Sequence, residues 1–347
     1  MTDAAPRTAR PAPAWRRSNG TSGLLLVAAF VVLVGLCALS LAVGTRETSW
    51  GEVASALFGH GDELLRATVG LRIPRTLLAV LAGAALALAG AVMQGMTRNP
   101  LADPGILGVN TGATLAVVIG IAWFGMSTPH EFVWTAILGA GGAAVFVYTI
   151  GSLGRGGATP LKLALAGAAT SIAFSSLVIA VILPRNDIAG GIQAWQIGGV
   201  GGATMDRTVA ILPIFVAGFA ICLLCARKLN LLALGDDLAA GLGERVAPAR
   251  IAAATGAILL CGAATSLCGP IGFVGLVVPH ACRLMVGIDH RWLLPLSAVA
   301  GAGLLTGADI AGRILARPAE LDVGIVTAMI GAPAFIWMVR RSRVREL

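Results

Sequence analysis

One pair of oppositely charged residues lies within an otherwise uncharged apolar stretch, at a spacing that would let the two side chains interact. Asp309 and Arg313 are four residues apart and follow a long run without Asp, Glu, Lys or Arg. On a helix this spacing places both groups on one face, where the two charges can neutralise each other. A carboxylate within an apolar helix is also typical of ion-coupled sites. Because a partner is at hand, a structural ion pair is the favoured interpretation.

Other candidate groups lack the partners that their chemistry requires. Cys222 and Cys225 form a C-x-x-C without nearby His or acidic residues, so we interpret them as small apolar side chains. His280 has no second ligand at metal-binding spacing. Neither lysine, Lys162 or Lys228, belongs to a G-x-x-x-x-G-K-[ST] phosphate loop. We therefore expect no catalytic residue, bound cofactor or metal in this chain, and any ATP hydrolysis must reside in a partner.

The elements that carry these groups are predicted to be membrane helices. The chain has 347 residues, 57% hydrophobic and 12% charged, and its mean hydropathy is +0.86, outside the range of soluble domains. Each uncharged stretch of about 20 residues can cross about 30 Å of hydrocarbon. These stretches are 23–44, 76–97, 104–130, 132–154, 163–184, 208–226 and 251–282.

Two further apolar segments, 292–308 and 323–339, and a break at Gly269-Pro270 within 251–282 raise the expectation to about ten transmembrane helices. The predicted fold is thus an all-α integral membrane protein with one membrane domain, residues 23–340. The residues before it, 1–22, are rich in Ala, Pro and Arg and are predicted to be a disordered cytoplasmic tail. Residues 341–347 form a second predicted tail.

The chain has a net charge of +8, and its basic residues lie between apolar spans. Their distribution therefore indicates the orientation of the chain in the membrane. With ten spans, Lys and Arg concentrate in the segments that face the cytoplasm when both termini do, as the positive-inside rule requires. Nucleic acid is therefore not an expected partner. Residues 45–71 become an outer loop, in which 49–58 could form a short surface helix.

Small residues and helix breaks indicate how the spans pack. Gly83, Ala87, Ala91 and Gly95 share one helix face and admit a close neighbour. Prolines interrupt the helical pattern at 98–105. A similar but shorter interruption occurs at 269–275, which the ten-span order places toward the opposite membrane face. Two inverted halves would produce that arrangement.

The segment 227–250 is the longest polar cytoplasmic segment apart from the tails. We predict a helical turn stopped by Gly235, then a second short helix with Asp236 as its N-cap and Gly243 as its end. Leu234, Leu238 and Leu242 would then be available to a partner's groove. From the residues alone, a merely structured loop is the favoured interpretation.

Five motifs follow one another along the chain: Arg72-Ile-Pro-Arg-Thr76, Gly90-Ala-Val-Met-Gln94, Asn99-Pro-Leu-Ala-Asp-Pro-Gly-Ile-Leu-Gly108, Leu234-Gly-Asp-Asp-Leu-Ala-Ala-Gly-Leu-Gly243 and Gly269-Pro-Ile-Gly-Phe-Val-Gly-Leu-Val-Val-Pro-His280. Together they resemble the signatures of FecCD-type permeases, and the resemblance covers the chain from about residue 24 to its end. Within that family, the stretches 107–112, 287–292 and 331–335 are most similar to ferric-enterobactin-type permeases.

The resemblance implies a type II ATP-binding-cassette (ABC) importer permease fold in a bacterial inner membrane. It implies a second permease subunit, identical or paralogous, two ATPase subunits that hydrolyse ATP, and a substrate-binding protein. The implied cargo is an iron(III)-siderophore complex, with haem or cobalamin as the alternatives.

The resemblance also assigns roles to residues. Arg72, Arg75 and Arg313 would hold carboxylates of the binding protein, whereas position alone favours snorkelling at the headgroups. The ATPase-coupling segment would comprise Leu234, Gly235, Asp236, Asp237, Leu238, Ala240, Leu242 and Gly243. The gate and pore wall would comprise Thr159, Pro160, Leu161, Ser171 and Ser175, although the two serines could equally make ordinary interhelical hydrogen bonds.

An ion-coupled secondary transporter is the alternative from a different class, because inverted halves and broken helices also occur there. Such a transporter should carry carboxylates near the membrane centre, and Asp309 is the one candidate in this sequence. A membrane-embedded enzyme is disfavoured, since the sequence contains neither H-E-x-x-H nor G-x-S-x-G.

Overall fold

The computed structural model describes residues 19–44, 48–60, 62–100, 102–105, 108–153 and 160–341. Within these ranges the chain is helical and forms no strand, which confirms the predicted all-α class. In chain order the helices are α1 (Asn19–Ala42), α2 (Trp50–Leu57), α3 (Glu63–Thr97), α4 (Val109–Phe124), α5 (Pro129–Ser152), α6 (Pro160–Ile182), α7 (Asn186–Ile197), α8 (Met205–Leu224), α9 (Ala226–Leu232), α10 (Asp236–Gly241), α11 (Val246–Cys268), α12 (Val274–Val286), α13 (His290–Leu315) and α14 (Val323–Arg341).

Seven of these helices are long and apolar enough to cross a membrane. They are α1, α3, α5, α6, α8, α11 and α13. Three shorter apolar segments accompany them, formed by α4, α12 and residues 323–337 of α14. The chain is therefore a multi-pass α-helical membrane protein, and the predicted break between α11 and α12 is confirmed.

Two predicted boundaries are wrong. Helix α1 begins at Asn19, so residues 19–22 belong to the helix and not to the predicted tail, the rest of which lies outside the described residues. Helix α3 begins at Glu63, inside the predicted outer loop 45–71, because the Asp62 side chain accepts from the amide of Leu65 at 3.0 Å and caps the helix. Residues 342–347 also lie outside the described part.

The predicted short surface helix is confirmed as α2. Ser49 and Glu52 form a reciprocal capping box at its start, in which each side chain bonds the backbone amide of the other residue. This fixes the connection between α1 and α3 on the outside of the bundle.

Helix α3 is the central column, since 83% of its most apolar window is buried. Glycines let its neighbours approach closely. A Cβ atom on Gly83 would overlap the Gly301 carbonyl of α13, one on Gly90 would overlap the Gly275 backbone, and one on Gly95 would overlap the His290 ring. The predicted close packing of this face is confirmed, as expected where apolar burial cannot drive helix association in lipid.

We expect Gly301→Ala to lower the thermal midpoint of the detergent-solubilised chain, because the added methyl would overlap Ala87 and the Gly83 backbone. Overpacking of this kind costs about 1–3 kcal/mol. Gly307→Ala, on the same helix with nothing within 4 Å of the added atom, is the matched control and should be neutral or slightly stabilising. Equal midpoints for the two variants would contradict this account.

Candidate functional site

Three arginines bond the backbone carbonyls at the C-terminal end of α1. Arg72 donates to the carbonyls of Leu41 and Ala42 at 2.7 and 3.0 Å. Arg313 donates to those of Ser40 and Val43 at 2.9 and 2.8 Å. Arg317 adds a bond of 2.7 Å to the Gly44 carbonyl. The last carbonyls of a helix have no partner within it, so these cations satisfy the backbone and complement the helix dipole.

Asp309 forms ion pairs with Arg313 and with a further arginine, Arg75 of α3. Its Oδ1 lies 2.8 Å from Nη2 of Arg75, and its Oδ2 lies 2.7 Å from Nη2 of Arg313. The contact with Arg313 is an ion pair by distance, without hydrogen-bond directionality. Since the residue is only 1% exposed, the carboxylate needs both cations. The predicted Asp309–Arg313 pair is confirmed, and Arg75 is a partner that the i,i+4 spacing does not reveal.

Glu320 supplies a second, more accessible carboxylate to Arg75. Its Oε2 lies 2.6 Å from Nη1 of Arg75, and its side chain is 35% exposed, compared with 2% for that of Asp309. Asp322 lies close by, and burial raises its pKa while the charge of Arg75 opposes the rise. Arg75 thus pairs with one buried carboxylate, Asp309, and one solvent-accessible carboxylate, Glu320. We call Arg72, Arg75, Asp309, Arg313 and Glu320 the arginine cluster.

The structure brings the three predicted docking arginines together but does not leave them equally available. Arg72 and Arg313 are buried, at 6% and 1% exposure, and their guanidinium groups bond within the chain. Docking through either would require those bonds to open. Arg75, by contrast, pairs with the accessible carboxylate of Glu320.

A second polar cluster lies at the opposite end of α3. Arg98, next to the last helical residue, is about 33 Å of helix away from Arg75 at about 1.5 Å per residue. Its Nη2 lies 3.5 Å from Oδ1 of Asp236, and Nη2 of Arg250 donates to the same oxygen at 2.9 Å. Asp236 therefore fastens α10 to α3 and α11.

The predicted role of Asp236 as a helix cap is wrong. Gly235 occupies the N-cap position with φ +104 and makes no side-chain cap bond, and Asp236 faces the two arginines instead. The predicted helix ends are confirmed, since Gly235 and Gly243 both have positive φ, at +104 and +87. Glycine adopts this conformation without strain.

Helix α10 buries one side and exposes the other. Ala239 is fully buried, whereas Leu234, Leu238 and Leu242 are 54%, 62% and 63% exposed. Asp237, Ala240 and Gly243 are exposed as well. This segment, residues 234–243, presents a row of leucines from a fixed base, which is a geometry suited to a partner's apolar groove.

The predicted gate residues lie on or before α6. Thr159 and the side chain of Pro160 fall outside the described residues. Leu161 is 70% exposed and Ser175 is exposed. Ser171 is half-buried and lies 3.4 Å from the hydroxyl of Thr111, the interhelical bond that remained the alternative. The structure does not bring Leu161, Ser171 or Ser175 to either polar cluster.

The two predicted breaks meet inside the bundle. Asp103 accepts from the Gly105 amide at 2.7 Å, which shapes the segment before α4. A Cβ atom on Gly275, in the first turn of α12, would lie 2.8 Å from Oδ2 of Asp103. Both segments are surrounded by protein at this point, as irregular backbone at membrane depth requires.

The residues singled out for metal chemistry do not form a site. In the described ranges, no group of three or more His, Cys, Asp or Glu side chains could hold a metal ion. Cys222 packs toward Gly256, where an added Cβ would lie 2.7 Å from its sulfur. This agrees with small apolar filling.

A multi-pass bundle with a continuous central helix, a break between α11 and α12 and an exposed short-helix segment is the architecture of a transport permease, and the similarity to known proteins places it in the ABC importer class. A solved structure described as an inward-facing conformation of a metal-chelate type ABC transporter superposes with a TM-score of 0.79 at 30% identity, covering 92% of this chain and 99% of that one. Residues 31–341 match the FecCD transport family. The chain belongs to this family, and the predicted resemblance is confirmed.

Two similar curated proteins come from different bacteria. The ferric enterobactin transport system permease protein FepD of Escherichia coli (strain K12) is 42% identical over 328 residues, 94% of this chain and 96% of that protein. The probable siderophore transport system permease protein YfiZ of Bacillus subtilis (strain 168) is 41% identical over 322 residues, 92% of this chain and 96% of that protein.

Proposed function

We propose that this chain is the membrane-spanning subunit of an ABC importer that carries an iron(III)-siderophore complex across a bacterial inner membrane. Ten crossings, formed by the seven long and three short apolar helices, would put both termini in the cytoplasm and relate two halves by inversion. The names of the similar permeases support the cargo class. The single structural observation that carries the proposal is the exposed leucine row of residues 234–243.

This segment would insert into a groove of one ATPase subunit, and the second permease subunit would contact the other. Its leucines offer apolar area, and its base is held by Asp236 to Arg98 at the end of α3 and to Arg250 on α11. A movement imposed on α10 would therefore reach the central column directly. The chain itself would hydrolyse no ATP.

We expect Leu238→Asp to reduce uptake of a radio-iron siderophore at least tenfold in proteoliposomes that contain the permeases, the ATPase and the binding protein. A charge in the apolar groove costs free energy unless it is paired. Leu183→Asp, a 76% exposed leucine at the opposite end of the bundle, is the control and should retain uptake.

The same assay tests the class of protein and the cargo. Uptake without the ATPase would identify an ion-coupled transporter and contradict the proposal. Competition by haem or cobalamin, with no competition by a second siderophore, would indicate that the natural cargo is haem or cobalamin. Normal uptake by Leu238→Asp would reject the coupling role.

At the other end, the arginine cluster would receive the binding protein. We propose that a carboxylate of that protein displaces Glu320 from Arg75, because Glu320 is the accessible one of the two anions on this guanidinium. Asp309 would stay in place. Arg72 and Arg313 would then act mainly by holding α1 and Asp309, and would contribute to docking through the positive charge of the cluster.

Under this exchange, Glu320→Gln should tighten binding of the substrate-binding protein about two- to fivefold, because an exposed pair is worth up to about 1 kcal/mol. Asp187→Asn removes an exposed carboxylate paired with Arg185 at the same end and should leave the affinity unchanged. Affinity can be measured by surface plasmon resonance on the reconstituted transporter. Equal affinities for the two variants would rule out the exchange.

The translocation path would lie between two permease subunits along α6, with Thr159, Pro160 and Leu161 at its cytoplasmic gate and Ser171 and Ser175 on its wall. Only 22% of the most apolar window of α6 is buried within the chain. A polar path needs protein on its other side, and a second permease subunit, identical or paralogous, would supply it.

A further inference from the structure

A cavity of about 1110 Å³ lies between α3, α5, α11 and α12, at the end of the bundle that carries α10. Deeper in the bundle α5 and α11 pack tightly, since a Cβ on Gly262 would lie 2.6 Å from the Ile137 side chain. Toward this end they diverge, and Val145 and Ile251 on the cavity wall are 66% and 67% exposed. The cavity therefore opens sideways, between two membrane helices.

An arginine without an anionic partner lines this cavity. Arg283 on α12 donates from Nη2 to the side-chain oxygen of Gln94 at 2.8 Å, and within the described ranges no carboxylate lies within ion-pair distance of it. The amide nitrogen of Gln94 donates to the carbonyls of Gly275 and Leu276 at 3.3 Å each. These bonds turn the amide oxygen toward Arg283, so Gln94 orients the guanidinium without neutralising it.

The rest of the lining is apolar or basic. Among the described lining residues there is no Asp or Glu, whereas Arg98 and Arg250 stand at the mouth and His280 stands beside Arg283. The two mouth arginines share the single carboxylate of Asp236, so the polar part of the cavity keeps a net positive charge. An anion with an apolar body fits this combination of surfaces.

We propose that the cavity binds one anionic phospholipid, with its phosphate at Arg283 and its acyl chains leaving between α5 and α11 past Val145 and Ile251. A half-buried guanidinium without a counter-charge costs free energy, and a phosphate at the headgroup level offsets that cost through charge-assisted hydrogen bonds to the guanidinium fork. Arg283 lies in the last turn of α12, toward the end of the bundle where such a headgroup would lie. Basic pockets between membrane helices are known to take anionic lipid headgroups. The proposal does not depend on the transported cargo.

The test uses the full-length chain in detergent micelles, with phosphatidylglycerol and phosphatidylcholine of the same acyl chains counted by native mass spectrometry. Wild type should retain one phosphatidylglycerol, at least tenfold in preference to phosphatidylcholine. Arg283→Gln should lower that retention about tenfold. Arg227→Gln, which removes an exposed arginine outside the cavity at the same end, should retain the lipid as wild type does.

A second variant separates lipid loss from misfolding. Ala254→Phe fills the cavity without removing a charge, and it should also lose phosphatidylglycerol while its elution profile stays monodisperse. Wild-type retention by either variant would overturn the proposal. Displacement of the lipid by millimolar inorganic phosphate would overturn it as well, since the site would then belong to a soluble anion.

Discussion

A carboxylate removed from water must be neutralised within the protein, and in this chain that constraint falls on Asp309. Its two oxygens face Arg75 of α3 and Arg313 of α13, and Arg313 in turn closes the end of α1. Three helices thus share one buried charge network. Because breaking such a pair leaves an uncompensated charge, typically at a cost of about 3–5 kcal/mol, these contacts hold the three helices together, and the proposed exchange concerns only the exposed Glu320.

A second carboxylate lies between two arginines at the opposite end of α3, and it is less buried than Asp309. Asp236 also lies between two arginines, but its side chain is 41% exposed, and the contacts hold a short helix whose leucines remain uncovered. Between the two ends, glycines replace side chains where α3 meets α12 and α13. Under the proposed function, this close backbone packing would let α3 pass a displacement of α10 toward the arginine cluster.

Much of this arrangement could be predicted from the sequence, because bilayer thickness fixes helix length and small residues mark close helix contacts. The Asp309–Arg313 spacing and the glycines around α10 are likewise local signals. What could not be predicted depends on distant partners. Arg72 and Arg313 form hydrogen bonds to α1 although both are distant from it in sequence. Asp236 pairs with Arg98 and Arg250 and does not cap its own helix. The early start of α3 was hidden because its first turns carry charges that interrupt the apolar run.

If residues 234–243 engage an ATPase and the arginine cluster receives the binding protein, the former must face the cytoplasm and the latter the outside, and site-directed labelling tests this most directly. Cysteines placed at Asp187 and Asp237, both exposed, would be treated in intact cells with a membrane-impermeant maleimide, using the unsubstituted chain to set the background of its native cysteines. We predict that Asp187→Cys reacts in intact cells and that Asp237→Cys reacts only after permeabilisation. The reverse pattern would place the proposed ATPase contact outside the cell and contradict the account.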